Sequence, residues 1–566
     1  MARKLVLVLA LALPVSAFSA HAEEPVDLAM MTRIRDEGLR HSRVMETLFH
    51  LTDVIGPRLT GSPQMKRAND WTRQQFEEWG LANAHLEGYR FGRGWTLNAC
   101  QVRMVAPRTS LLLALPKAWS PGTEGPVRGP AMRVTLEEEK DFDKYRGQLA
   151  GKVLLLDEAQ KFEEPEDPPF KRYSDERLGE VEEFEIDEEE PAGRRRGRER
   201  WQRRRALNAF LEQEKALATV EASQRLNGIV RVTGGGSWEP GESVGVPALV
   251  MAAENYNQLL RLLDAGQPVE IEIDVAAQYH DGDLQAYNTV AEIPGTDKKS
   301  EIVMAGAHLD SWHAATGATD NAAGSAVVME AARILKALGV KPRRTIRFVL
   351  WSGEEQGFHG SIAYVKEHFA TRPASKDPEQ LKLPERFRDE TWPLQLKPDH
   401  ARLAAYFNLD NGSGRIRGIY AEENAAVRPI FAAWLAPFSD LGAKTVTLRT
   451  TDATDHVPFD RVGLPGFQFI QDELDYSPRT HHTNLDTYDH LQRDDMMQAS
   501  VIMAAFLYNA AMRPEPLPVE RKEEKEKKDE NKVEKATVDA GSTSPPAPSP
   551  KGEGERKSKP FKAPLL

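Results

Sequence analysis

The chain has 566 residues, with 86 acidic and 74 basic side chains, a net charge of -12 at pH 7 and a single cysteine. The length predicts two or more globular units, and the acidic excess argues against nucleic acid as a partner. Cys100 can form no disulfide within the chain and excludes a thiolate-rich metal site. Any metal must be bound by His, Asp or Glu, which favours zinc, with manganese or cobalt as substitutes.

The first residues are typical of an export signal. Arg3 and Lys4 precede the apolar run LVLVLALALPVSAF, and Ala20-His21-Ala22 forms a small-residue cleavage site. We predict that residues 1–22 are a signal peptide and that the mature protein is exported, periplasmic or secreted, without stable membrane insertion. A retained N-terminal anchor is the alternative.

Residues 23–107 are predicted to be a helical N-terminal part. Its clearest helix starts with Ser62 as N-cap and Pro63 at the first position, and it stops at Gly80. Residues 108–280 then change to short β-branched and Leu-rich runs, which predict a separate β-rich module.

A charged stretch, residues 160–226, interrupts this module. Eight arginines between Arg194 and Arg205 are a pattern seen in nucleic-acid binding. The neighbouring acidic run VEEFEIDEEE and the predicted export favour a solvated surface whose charges pair internally.

From residue 281 to residue 512 strands and helices alternate, which predicts an α/β domain with a mostly parallel sheet flanked by helices.

Residues 513–566 are rich in Pro, Lys and Glu and poor in large apolar side chains, so we predict a disordered tail.

Several potential metal ligands follow predicted strands of this α/β domain. His308 and Asp310 end EIVMAGAHLD, Glu354 and Glu355 end TIRFVLWSGEE, and Asp410 ends LAAYFNLD. Asp320 alone would be an ordinary helix N-cap, and His481-His482 follows the last strand. Because sites in such sheets form at the carboxyl ends of strands, we expect these side chains to meet.

The segments HLDSW, TDNAAG, WSGEE, FNLDN and HHTNLDT, in this order, resemble the family-28 zinc metallopeptidases, which include di-zinc aminopeptidases and carboxypeptidase Q relatives. IGPRLTGS also resembles the start of the exopeptidase domain in the carboxypeptidase Q branch. The resemblance implies a zinc exopeptidase fold and an inserted protease-associated domain within residues 108–280.

The resemblance also implies roles for single residues. Two zinc ions per chain would be bound by His308, Asp320, Glu355, Asp410 and His482, with Asp320 bridging and its bond to Asn321 in the cis form. Asp310 would orient His308, Glu354 would be the general base, and His481 could donate to the oxyanion. Asp455 and His456 are candidates for substrate contact, and His313 is expected at the surface.

The predicted activity is that of an exported di-zinc exopeptidase acting on peptides, most simply an aminopeptidase. A dipeptidase of carboxypeptidase Q type is the alternative. A non-catalytic receptor-like module and acyl transfer on one zinc, as in glutaminyl cyclases, are the alternatives of other classes. The sequence does not determine the oligomeric state, and a homodimer is possible. Residues 371–400 resemble an insertion that affects the geometry of the substrate pocket.

Overall fold

The computed structural model describes residues 24–163, 168–184, 192–384, 387–389 and 391–519. The predicted signal peptide lies outside the described residues, as does the predicted tail beyond residue 519. Among the helices of the described ranges, none is long and apolar enough to cross a membrane.

In chain order the described strands are β1 (Ala82–Arg90), β2 (Gly94–Ala106), β3 (Ser110–Leu111), β4 (Ala114–Pro116), β5 (Val127–Arg133), β6 (Val153–Leu155), β7 (Ala218–Ala222), β8 (Ala248–Met251), β9 (Glu270–His280), β10 (Gln285–Ile293), β11 (Lys298–His308), β12 (Arg344–Trp351), β13 (Ala370–Thr371), β14 (Gln395–Leu396), β15 (Leu403–Asn408), β16 (Ile416–Tyr420), β17 (Thr445–Thr447) and β18 (Gly466–Gln471). The described α-helices are α1 (Leu28–Arg40), α2 (Val44–Phe49), α3 (Pro63–Glu78), α4 (Glu139–Phe142), α5 (Asp175–Glu182), α6 (Ala192–Glu214), α7 (Ala253–Asp264), α8 (Ala323–Ala337), α9 (His359–His368), α10 (Pro378–Leu381), α11 (Arg428–Leu435), α12 (Val457–Asp460) and α13 (Arg493–Met512).

The first sheet has the strand order β1-β10-β12-β11-β15-β18-β16-β17. Its centre, β12-β11-β15-β18, is parallel, whereas β1, β10 and β16 pair antiparallel with their neighbours towards the centre. The predicted α/β fold with flanking helices is confirmed, with antiparallel additions on both sides of the parallel centre.

Apolar residues cover both faces of this sheet. On one face, side chains such as Val303 and Ala305 of β11 pack with α1, α2, α3, α8, α11 and α13. On the other face, Met304 of the same strand packs with α9 and α12. The alternation along β11 reflects the period of two in a strand, and its burial on both faces explains why the run is continuously apolar.

The helix α3 forms as its sequence indicates. The Ser62 hydroxyl accepts a hydrogen bond from the Met65 amide at 3.1 Å, and Pro63 occupies the first position. Phe76 is fully buried, and the chain leaves the helix through Gly80, whose φ of 76° favours glycine.

We call residues 94–280, which form the second sheet, the insert. The strand order is β3-β2-β9-β5-β6-β7-β8-β4, and the long antiparallel pair β2 and β9 lies next to the points where the chain leaves and re-enters the first sheet. The sequence-based boundary at residue 108 therefore falls after β2, whose residues pair with β9.

The insert contacts the first sheet through an aromatic cluster. Phe91, Trp95, Trp119, Trp238 and Trp312 are buried together at this junction. The Trp119 and Trp238 ring centroids are 5.1 Å apart, and Trp119 meets Trp312 edge-on at 6.2 Å. Because large aromatic side chains contribute much of the energy of such contacts, the insert is held against the site that Trp312 borders.

Candidate metal centre

The carboxyl ends of four central strands of the first sheet deliver the candidate ligands to one edge. His308 is the last residue of β11, Glu354 and Glu355 follow β12, Asp410 follows β15, and the loop after β18 carries His481 and His482. Strand register aligns these ends, because His308 pairs with Trp351 of β12 and Gly306 with Asn408 of β15. The predicted meeting of these side chains is observed.

Asp320 lies between two groups of side chains. Its Oδ1 atom is 3.3 Å from His308 Nε2, and its Oδ2 atom is 3.2 Å from His482 Nε2. On the first side, His308 Nε2 is also 3.2 Å from Asp410 Oδ1. On the second side, His482 Nε2 is 2.9 Å from Glu355 Oε2. One carboxylate thus faces two separate His–carboxylate pairs.

The turn before α8 places Asp320. The peptide bond between Asp320 and Asn321 is cis, as the family resemblance implied. Asp320 does not cap α8. Instead, Asn321 Oδ1 accepts a hydrogen bond from the Gly324 amide at 2.8 Å, and this leaves the Asp320 side chain free to face the histidines.

Asp486 holds this turn from the other side. Its Oδ1 atom accepts hydrogen bonds from the Thr319 amide at 2.6 Å and the Thr319 hydroxyl at 2.8 Å, and its Oδ2 atom accepts one from the Asp320 amide at 3.2 Å. Burial, with Asp320 nearby, raises the pKa of Asp486 to about 7. The motif HHTNLDT contained this residue, but its role was not inferred from the sequence.

Asp310 contacts the site mainly through the turn after β12. Its carboxylate accepts hydrogen bonds from the amides of Glu354 and Glu355, at 3.3 and 3.4 Å, and from the Thr60 hydroxyl at 2.9 Å. The nearest partner of His308 Nδ1 is the Asp310 main-chain carbonyl at 3.0 Å, with the carboxylate at 3.6 Å. His308 is therefore oriented chiefly by the backbone of residue 310.

The charges of the cluster favour the binding of cations. Burial raises the pKa of Glu354 well above its usual range, and the neighbouring Asp410 and Glu355 carboxylates add to this effect. Burial also raises the pKa of Glu355 to about 7. For His308, burial opposes protonation, but Asp410 and Glu354 outweigh it and raise the pKa well above the usual value. Such crowding of buried carboxylates is costly unless positive charge compensates it.

The donor set fits metal ions. Asp320 Oδ2 and Glu355 Oε1 are buried and accept no hydrogen bond from the described residues. The candidate ligand atoms of His308, Asp320 and Asp410 lie within 4.8 Å of one another, and so do those of Asp320, His481 and His482. Imidazole nitrogens and carboxylate oxygens in such groups are suited to divalent ions such as zinc.

His481 lies at the edge of the cluster, next to His482. Its ring centroid is 3.8 Å from that of His482, and its Nε2 atom is 3.9 Å from Asp320 Oδ2. Burial, together with His482, lowers its pKa well below the usual value, so the imidazole is neutral at pH 7. Tyr476, which the sequence analysis did not single out, is half-buried, and its ring centroid is 4.9 Å from that of His481.

Two candidates for substrate contact are placed differently. Asp455 is buried near the cluster: it accepts a 2.5 Å hydrogen bond from Ser361, and burial raises its pKa to about 7, with Asp310 and Asp410 adding. His456 is directed away from the cluster. Its Nε2 atom is 2.9 Å from the Thr451 carbonyl and 3.4 Å from a carboxylate oxygen of Glu422. The structure brings only the first to the site.

The prediction that His313 lies at the surface is wrong. His313 is 8% exposed, and its Nε2 atom is 2.7 Å from the Pro116 carbonyl of the insert. Its ring meets Trp95 edge-on at 5.0 Å, and burial lowers its pKa to about 4. The insert covers a loop that would otherwise be exposed, and the linear sequence gives no signal of this long-range contact.

A cluster of histidines and carboxylates at the carboxyl edge of an α/β sheet is the arrangement expected of a divalent metal site in an enzyme. Residues 288–507 match the family described as Peptidase family M28. The matched residues include the whole candidate site, and together with the relatives described next they show that the chain is a peptidase.

Relatives and solved structures support this assignment along most of the chain. Carboxypeptidase Q from Bos taurus is 26% identical over 482 residues, which are 85% of this chain and 88% of the relative. The structure of a Peptidase M28 precursor from Shewanella amazonensis SB2B has a TM-score of 0.61 at 24% identity, covering 87% of this chain and 99% of that chain. A zinc aminopeptidase from Bacillus subtilis has a TM-score of 0.53 at 18% identity, covering 84% and 97%. Both structures show the same fold.

Proposed function

We propose that the chain is an exopeptidase that binds two zinc ions and uses Glu354 as general base. The proposed ligands are His308, Asp320, Glu355, Asp410 and His482. The observation that carries the proposal is the position of Asp320, whose two carboxylate oxygens face different histidines at 3.3 and 3.2 Å. A bridging carboxylate between two His–carboxylate pairs is the arrangement expected of a two-metal site. The zinc aminopeptidase with the same fold supports the choice of metal.

Bound zinc would polarise the carbonyl of the scissile bond and lower the pKa of a water molecule beside it. Glu354 would accept the proton of the attacking water and return it to the leaving amine. Its backbone amide is fixed by Asp310 at 3.3 Å, and its carboxylate lies 4.0 Å from His308 Nε2. Burial raises the pKa of Glu354, which favours its uptake of a proton. His481 would donate its N–H to the oxyanion.

The sequence favours an aminopeptidase, and the relatives that match over most of the chain favour the alternative of a carboxypeptidase Q-type dipeptidase. A non-catalytic module is disfavoured because no member of the ligand set is missing. A one-zinc acyl transferase does not require Glu355 and His482 to meet Asp320 as they do here. We further propose that the enzyme acts on peptides after export.

The test compares the zinc-loaded wild type with Glu354→Gln on a library of dipeptides, longer peptides and aminoacyl-naphthylamides. We expect two zinc ions per chain in both proteins and a loss of about 10²- to 10⁴-fold in kcat for the variant. Glu367→Gln, an exposed glutamate on α9, is the matched control and should keep full activity. Full turnover by Glu354→Gln would refute its role, and a single zinc per active chain would refute the two-metal site.

A further inference from the structure

A segment of the insert, residues 228–232, pairs with the loop that carries His482. The Val232 amide donates a hydrogen bond to the His482 carbonyl at 3.0 Å. The next pair along the two segments is Arg231 and Thr483, which form an antiparallel bridge. The main chain of the insert is therefore bonded directly to a proposed zinc ligand of the first sheet.

Asn484 closes this pairing with its side chain. Its Oδ1 atom accepts a hydrogen bond from the Val230 amide at 2.7 Å, and its own amide donates to the Val230 carbonyl at 3.1 Å. Its Nδ2 atom is 3.4 Å from the Gly228 carbonyl. One residue of the ligand loop thus bonds both main-chain groups of Val230. Because a buried N–H without an acceptor is costly, loss of Oδ1 would weaken the pairing.

The insert side of the pairing is anchored in the core of the insert. Val230 and Val232 are fully buried and pack with Val250 of β8 and with Ala252, which follows this strand. Ala314, from the loop between β11 and α8, packs against the same group. The segment is therefore fixed by apolar contacts before any bond to the ligand loop is counted.

His482 depends on such support because of its backbone conformation. Its φ is 62°, in the left-handed region that residues other than glycine rarely adopt and that persists where surrounding contacts fix it. In this conformation Nε2 lies 3.2 Å from Asp320 Oδ2 and 2.9 Å from Glu355 Oε2. A return of His482 to an ordinary φ would turn the imidazole away from both carboxylates.

We propose that the insert is part of the metal centre, and that Asn484 is a positioning residue that holds His482 where it binds zinc. The inference rests on the proposed function, because it concerns the zinc ion assigned to His482 and Glu355. It implies that zinc binding and docking of residues 228–232 strengthen each other.

The effect should be confined to one of the two zinc ions. His308 is held by groups of the first sheet and its loops: Nδ1 is 3.0 Å from the Asp310 carbonyl, and the Ser325 hydroxyl donates to the His308 carbonyl at 2.7 Å. Loss of the pairing with the insert should therefore weaken the ion on the His482 side and leave the ion on the His308 side in place.

The first test is a zinc titration of the metal-free full chain against competing chelators. We expect Asn484→Ala to bind one zinc ion about 10- to 100-fold more weakly than the wild type, the usual effect of losing a group that orients a metal ligand, with the other ion changed by less than about threefold. Asn484→Asp should restore most of the lost affinity, because a carboxylate oxygen still accepts from the Val230 amide.

Asn255→Ala is the matched control. Asn255 Oδ1 accepts a hydrogen bond from the Leu113 amide at 2.8 Å within the insert, so this variant removes the same kind of bond away from the metal centre. Both zinc affinities should stay at the wild-type value. A merely structural role of Asn484 would lower the stability of the two alanine variants alike and leave their zinc affinities unchanged.

The second test measures hydrogen exchange of the wild type with and without zinc. Because the coupling between two binding events is reciprocal, zinc should slow exchange in residues 228–232 by the same factor of about 10 to 100. The helix α7, which belongs to the same insert, should keep its exchange rate. Asn484→Ala should lose most of the zinc-dependent protection.

The two tests also separate this inference from the proposed function. Unchanged zinc affinity in Asn484→Ala, equal weakening of both ions, or exchange in residues 228–232 that does not respond to zinc would overturn the inference, even in an active enzyme. If the wild type hydrolyses no peptide, the proposed function fails, and the zinc titration and the exchange still decide the inference. If it binds a single zinc ion, the two-metal site fails and the exchange measurement decides alone.

Discussion

Arg58 is a fully buried arginine whose side chain holds the loop between β11 and α8. Its guanidinium donates to five main-chain carbonyls, with Nε 2.7 Å from the Leu309 oxygen and Nη2 2.7 Å from the Gly317 oxygen. Nη1 lies 2.8 to 3.1 Å from three further carbonyls, which share its two N–H groups. Burial lowers its pKa to about 10, so the group remains a cation at neutral pH.

We expect Arg58→Lys to destabilise the protein by about 3–4 kcal/mol. A lysine has three N–H groups on one nitrogen, so at least two of the five carbonyls lose their donor, and each costs roughly 1–3 kcal/mol when left buried and unpaired. Arg58→Met should cost more, because all five carbonyls then lose this donor, although the Leu51 and Gly317 carbonyls keep a hydrogen bond from the Gly56 and Ala322 amides. The loop it holds leads to Asp320, so zinc affinity should fall as well.

The assay is guanidinium chloride unfolding followed by tryptophan fluorescence, combined with zinc titration against a competing chelator. Arg67→Lys is the control: Arg67 is exposed and makes one 3.4 Å contact to the Val54 carbonyl, so its change should stay within about 0.5 kcal/mol. If Arg58→Lys and Arg58→Met both stay within this range, the carbonyl contacts do not stabilise the loop and the reasoning is refuted.

Two further predictions concern other contacts. Asp486→Asn removes one acceptor from the turn that holds Thr319 and Asp320, and we expect zinc affinity to fall about 10- to 100-fold in the same chelator titration. His490 donates to Asp475 at 2.7 Å, and this hydrogen bond raises the pKa of His490. The pair therefore stabilises the fold fully below about pH 6.5, the usual value for the unfolded chain, and this contribution is lost as pH rises through the raised folded-state pKa. His490→Ala should be more destabilising at pH 6 than at pH 9.

Each of these predictions has a simple contradicting result. Asp489→Asn, an exposed neighbour, is the control for Asp486→Asn, and equal zinc affinity in the two variants would show that Asp486 does not position the ligand. For His490→Ala, a loss of stability that is equal at both pH values, or larger at pH 9, would show that the charged form of His490 does not stabilise the pair.

The sequence predicted the central sheet and the meeting of the candidate ligands at its edge because both follow local rules. Continuous apolar runs such as that of β11 are typical of strands buried on both faces, and His308, Glu355 and Asp410 lie at or just after the ends of such runs. β1 was not predicted, because its burial is only partial along its whole length. It forms through pairing with β10, almost 200 residues later in the chain, and local sequence carries no such information.

The charged stretch of the insert shows a similar limit. The sequence indicated a solvated surface, and α6 has exposed charges as expected. However, Arg172 forms ion pairs with the buried Asp472 at 2.9 Å and the buried Asp495 at 2.6 Å, and α5 packs beside β17. Part of this stretch is therefore a structural contact with the first sheet, and its partners lie about 300 residues away in sequence.

Arg231 escaped the sequence analysis for the same reason. It stands among ordinary insert residues, and only the pairing of residues 230–232 with the loop of His482 brings its Nη2 atom to 3.2 Å from His482 Nδ1. Residues from separate sheets can be assigned to one site only once the contact between the sheets is known.

The strand pairs at the junction also determine the order in which the chain can fold. β1 and β10 must pair to complete the first sheet, yet the whole insert separates them in sequence. Once β2 and β9 pair, with Gly94 opposite His280, the neighbouring Arg90 and Gln285 are already close to their final register. Pairing of β2 with β9 brings the two ends of the insert together before β1 pairs with β10. It therefore removes most of the loop-closure entropy cost of pairing β1 with β10. During synthesis, the insert would fold before the sheet that carries the candidate ligands.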